Sequence, residues 1–120
     1  MNKTKKLKIA KFIQYVAVKL DIKNPYKVEL VSKRDDSLKT YAFYNPSNGL
    51  VKVYIKGRGL ADILRSIAHE FVHHKQNQDK KLLTPTQDVG GQIEDEANAK
   101  AGSFVKQFGY ENPKFGIYSE

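Results

Sequence analysis

Residues 60–76 read LADILRSIAHEFVHHKQ, and this stretch decides the fold. Its apolar residues Leu60, Ile63, Leu64, Ile67, Ala68 and Phe71 recur at the three- and four-residue spacing of a helix with one buried face. All three histidines of the chain lie inside it, in the run His69-Glu70-Phe71-Val72-His73-His74. The spacing His69-Glu70-x-x-His73 stacks two imidazoles one turn apart on one helix face, the arrangement that aims both at a single metal ion. At about 100° per residue the apolar set centres near Leu64 and Phe71, and His69 and His73 project from the opposite side with Glu70 bordering them. The competing reading makes them surface residues of an amphipathic helix. Their mid-helix place after a predicted strand, with an apolar reverse face, favours the metal. His74 turns toward the apolar side and is expected to be structural rather than a ligand.

The rest of the sequence restricts how such a site is completed. Cysteine is absent, so there is no disulfide framework, thiolate ligand or cysteine nucleophile. A catalytic zinc takes three protein ligands and keeps one open position, and with no further His or Cys the third ligand must be a carboxylate. The candidates are Glu94, Asp95 and Glu96, on a second helical pattern carrying Ile93, Ala97, Ala101, Phe104, Val105 and Phe108 and stopped by Gly109. Measured from the inward direction of that helix, Glu94 lies about 50° away, Glu96 about 110° and Asp95 farther, so Glu94 is the choice. Asn98, one turn on, stands where its side chain can hydrogen-bond a ligating histidine. Asp95 and Glu96 are accounted for as a solvated acidic helix start.

Upstream, residues 5–20 place Ile9, Phe12, Ile13, Val16, Ala17 and Leu20 at helical spacing, with the lysines mostly on the other side. Asn24-Pro25 ends that helix. Val28 and Leu30 alternate with charged neighbours as in a strand, ahead of the charged turn at residues 33–36. The aromatic segment 40–45, the turn signal Asn45-Pro46-Ser47-Asn48-Gly49 and the alternating Val51, Val53 and Ile55 predict a hairpin with a half-exposed last strand. The tail from Tyr110 reads as irregular, with aromatics that pack on the body. The expectation is therefore one α+β domain over residues 1–120: an N-terminal helix, a small mainly antiparallel sheet, an active-site helix and a glutamate helix.

His69-Glu70-Phe71-Val72-His73 followed by Glu94-x-x-Ala97-Asn98 resembles the gluzincin pattern, in which HExxH on one helix is completed by a Glu on the next. The Glu-x-x-Ala-Asn variant is similar to that of IrrE/ImmA-type and related small phage- or mobile-element-encoded zinc peptidases, over roughly residues 51–108. The resemblance implies a zincin-like fold and a zinc-dependent endopeptidase. Zinc would be held by His69, His73 and Glu94, and Glu70 would be the general base toward a zinc-activated water. It also implies that the strand before the active-site helix, residues 50–56, is the cleft edge that pairs with substrate. Larger gluzincins add a later His or Tyr that stabilises the oxyanion; here no His follows His74, leaving Tyr110 or Tyr118, each of which also reads as a packing aromatic. Position and charge further suggest that tail carboxylates occupy the cleft.

Lys plus Arg is 21 against 13 for Asp plus Glu, a formal charge of +8, and five lysines crowd the first eleven residues. That balance supports a rival reading, a basic polyanion-binding module with an inactive or structural metal site. The expected partner is a protein or peptide substrate, ahead of nucleic acid. No signal peptide or apolar run of membrane-spanning length is seen, so no membrane partner and a cytoplasmic location are expected.

Overall fold

A computed structural model describes residues 1–33, 40–80 and 91–119. The chain folds as α+β: α1 (Lys3–Lys19), β1 (Lys27–Val31), β2 (Ala42–Asn45), β3 (Leu50–Tyr54), α2 (Leu60–Gln78), α3 (Gln92–Glu111) and a 3-10 turn (Pro113–Phe115). Helix α1 starts two residues earlier than its apolar periodicity predicts, because the Asn2 side chain caps it by accepting from the Lys5 N–H at 2.8 Å. Among the described residues no helix is long and apolar enough to cross a membrane.

The sheet has the order β1-β3-β2, with β2 antiparallel and β1 parallel to β3. It is thus mixed, where a mainly antiparallel sheet was expected. The turn at 46–49 fixes the β2–β3 hairpin locally. The partner of β1 is a non-local choice, set by the apolar face it extends: Val28 pairs with Val51 and Leu30 with Val53, while Tyr44 and Ala42 oppose the same two valines from the other side. Val51 and Val53 are fully buried under α2. The order also corrects the expected cleft edge. Segment 50–56 contains β3, which is paired on both sides, so among the described residues the free edge on the hairpin side belongs to β2.

Gly49 holds the hairpin turn against the body with φ +73°, and a Cβ there would strike the Pro25 carbonyl oxygen and approach His74 Cε1 at 3.3 Å. Helix α2 is the central element, burying Leu60, Ile63, Leu64, Ile67, Ala68, Phe71 and Val72 between the sheet and the other helices. Helix α3 runs back along α2 and buries Ala97, Ala101, Val105 and Phe108. Phe12 of α1 meets Phe108 edge-on at 5.1 Å, which closes the far side of the core.

Candidate metal centre

Because the apolar residues of α2 are spent on the core, the face carrying His69 and His73 is left to meet the first turn of α3. There the two Nε2 atoms stand 3.1 Å apart. Glu94 reaches both, with Oε1 2.7 Å from His73 Nε2 and Oε2 3.1 Å from His69 Nε2. His73 is almost wholly buried, while His69 and Glu94 are about one-fifth exposed at 20% and 22%. The three residues chosen from the sequence as ligands are therefore brought together, and their ligand atoms all lie within 4.8 Å of one another.

The donor set fits a metal ion. Gln76, 1% exposed, donates through Nε2 to the Ile93 carbonyl at 3.1 Å and to Glu96 Oε1 at 2.8 Å. Its amide oxygen faces His73 Nδ1 at 2.7 Å, so the ring proton sits on Nδ1 and a lone pair on Nε2. With Nε2 unprotonated, its lone pair faces a carboxylate oxygen and the second imidazole nitrogen, and a bound cation would satisfy all three. Donors about 2.0–2.1 Å from one tetrahedral ion stand about 3.3 Å apart, a few tenths of an ångström wider than these atoms already are.

Electrostatics agree with the ligand roles. Burial, joined by the neighbouring His73, lowers the His69 pKa and keeps its ring neutral, as a ligand must be. The Asn98 side chain, which lines the same cleft as His69, partly offsets that lowering. Glu70, 8% exposed, has its carboxyl pushed up to about 8, first by burial and then by the charge of Glu94. Such a carboxyl takes and releases a proton near neutral pH.

A cleft opens on these residues. One cavity of about 270 Å³ is lined by Ala42, Phe43 and Tyr44 of β2 together with His69, Glu70, His73 and Glu94. A second, of about 280 Å³, continues from His69, Glu70 and Asn98 toward Tyr41, Arg58 and Ser66. Arg58 braces that end, donating to the Tyr54 carbonyl at 2.8 Å and to Ser66 Oγ at 2.7 Å while lying 4.5 Å over the Tyr41 ring. Behind the cleft, His74 is structural, as expected. Its Nε2–H donates to the Asn24 carbonyl at 3.1 Å, so its Nδ1 accepts from the Tyr44 hydroxyl at 2.7 Å. Asn77 donates to that same hydroxyl and to the Pro46 carbonyl, tying the hairpin to α2.

Two expectations place residues elsewhere. Tyr110 lies sixteen residues beyond Glu94, about 24 Å along α3, and is 83% exposed, so it does not reach the centre. Tyr118 is near Gly109 at that same far end. The described tail packs there too: Phe115 contacts Phe108, its carbonyl accepts from Lys8 at 2.6 Å, and Ile117 is buried, so the tail does not fill the cleft; Glu120 lies outside the described residues. Sequence reading missed Gln76 and the β2 wall. Gln76 carried one usable signal, a neutral hydrogen-bonding side chain one turn after His73 on a helix otherwise apolar on its buried side. No family model matches the chain, and neither the curated proteins nor the solved structures yield a match.

Proposed function

We propose that the chain is a zinc-dependent peptidase of small gluzincin type, with a zincin-like arrangement of active-site helix and glutamate helix. The observation that carries this reading is the convergence of two imidazole nitrogens and both Glu94 oxygens beside the buried carboxyl of Glu70. Three protein ligands leave a coordination position open, as catalytic rather than structural sites do. Zinc held by His69, His73 and Glu94 supplies Lewis-acid chemistry, lowering the pKa of a water to about 7 and polarising a carbonyl. Glu70 takes the proton of the attacking water onto its carboxylate and delivers it to the leaving amine nitrogen. The cleft excludes bulk solvent from that carboxyl, which raises its basicity when ionised.

The edge of β2 suits an extended peptide. Tyr41 accepts from the Tyr54 N–H at 2.9 Å, so by alternation Phe43 also bonds toward β3, while Ala42 and Tyr44 direct their backbone groups to the free edge. A substrate strand laid there passes over Glu70 and the metal ligands. The test is hydrolysis of a mixed peptide library followed by mass spectrometry, with zinc-loaded wild type against Glu70→Gln. Cleavage by wild type, reduced about 10²–10⁴-fold in a variant that still binds zinc, is the expected result. Equal cleavage by both would remove Glu70 from the mechanism.

A further inference from the structure

We propose that Gln76 is a positioning residue that ties the placement of Glu94 on α3 to the tautomer of His73 on α2. The inference rests on the metal-centre reading above and concerns how the centre is assembled. Ile93, whose carbonyl accepts from the Gln76 amide, immediately precedes Glu94, and Glu96, which accepts from it at 2.8 Å, follows two residues later. A carbonyl and a carboxylate only accept, so the amide nitrogen faces α3 and the amide oxygen faces His73 Nδ1. The orientation of the amide is thereby set by α3 and read by the imidazole. With α3 seated, Gln76 presents an acceptor to His73, the ring proton stays on Nδ1, and Nε2 is free to ligate.

The first turn of α3 begins at Gly91, which provides no side-chain cap, and Gln76 contacts that turn from the side. Lys100 Nζ stands 3.5 Å from Glu96 Oε2, one turn along the same helix. No other polar side chain of α2 joins a ligating histidine to α3 backbone among the hydrogen bonds of the described residues.

The test compares wild type, Gln76→Leu, Gln76→Glu and the exchanged pair Gln76→Glu with Glu96→Gln. Zinc affinity is measured by competition with a chromophoric chelator, and the His73 tautomer by long-range proton–nitrogen NMR on metal-free protein. Wild type should show the proton on Nδ1. Gln76→Leu should lose about 10–100-fold in zinc affinity together with that fixed tautomer signature. Gln76→Glu keeps an acceptor for His73 but sets a carboxylate against Glu96, and should also bind more weakly. The exchanged pair restores a donor to the new carboxylate but leaves the Ile93 carbonyl without one, and should recover part of the loss. A folded Gln76→Leu protein that binds zinc as tightly as wild type, with His73 unchanged, overturns the inference. Should Gln76→Leu not unfold cooperatively, the comparison of Gln76→Glu with the exchanged pair decides alone, and no recovery in the pair counts as refutation. Wild type that takes up no zinc overturns the metal-centre reading itself, and this inference with it.

Discussion

Without a bound metal ion, raising pH should weaken the fold through one side chain. Glu70 is 8% exposed, and its carboxyl is pushed from an ordinary 4.5 up to about 8 by burial and by Glu94. In the metal-free protein the folded state therefore binds more protons than the unfolded state between those two values. Stability falls as pH rises through that window and levels off above about 8. At about 1.36 kcal/mol per pKa unit, the full effect is on the order of 5 kcal/mol, comparable to the whole stability of a small domain. His69 works in the opposite sense. Its folded pKa is lowered below 6.5 by burial, so stability present above the unfolded pKa is lost as pH falls through that range. Comparing wild type with Glu70→Gln removes this second contribution. The assay is urea unfolding of both proteins in chelator at pH 5, 6.5 and 8.5. Wild type should lose several kcal/mol relative to Glu70→Gln across the series, and saturating zinc should restore most of it at pH 8.5, because a cation stabilises the ionised carboxylate. Parallel pH profiles for the two proteins would refute the reasoning.

Other predictions follow from the packing. Gly49→Ala should cost about 2–4 kcal/mol in denaturant unfolding, because a positive φ and the Pro25 carbonyl both oppose a Cβ; an unchanged midpoint would show that the turn shifts freely. Truncation after Pro113 removes Phe115 and buried Ile117 and should lower stability by at least about 2 kcal/mol without raising hydrolysis, read by thermal melting and peptide assay. Activation on truncation would return the tail to the cleft. Phe71→Ala, at the fully buried centre of α2, should cost about 3–5 kcal/mol by the same unfolding measurement.

The helices were legible because each carries one apolar stripe, and the candidate ligand cluster because helix geometry converts spacing into direction. His69 and His73 one turn apart, and Glu94 rather than Glu96 near the inner edge, needed nothing beyond about 100° per residue. Glu96 instead points to Gln76, which a helical wheel places but does not pair. The sheet was less legible. Alternation in Val28 and Leu30 identifies a strand but carries no information on its partner, so the parallel pairing of β1 with β3, and with it the position of β2 at the edge, emerges only from tertiary packing. Tyr110 and Tyr118 were nominated by residue type alone. The length of α3 then carries them to its far end, a distance that ligand chemistry cannot see.

The most direct test of the account is elemental analysis of tag-free protein for wild type, Glu94→Ala and Glu96→Ala. The account predicts about one zinc per chain in wild type, lost with Glu94→Ala and retained, though held more weakly, with Glu96→Ala. No zinc in wild type even after reconstitution, or full retention in Glu94→Ala, would contradict it.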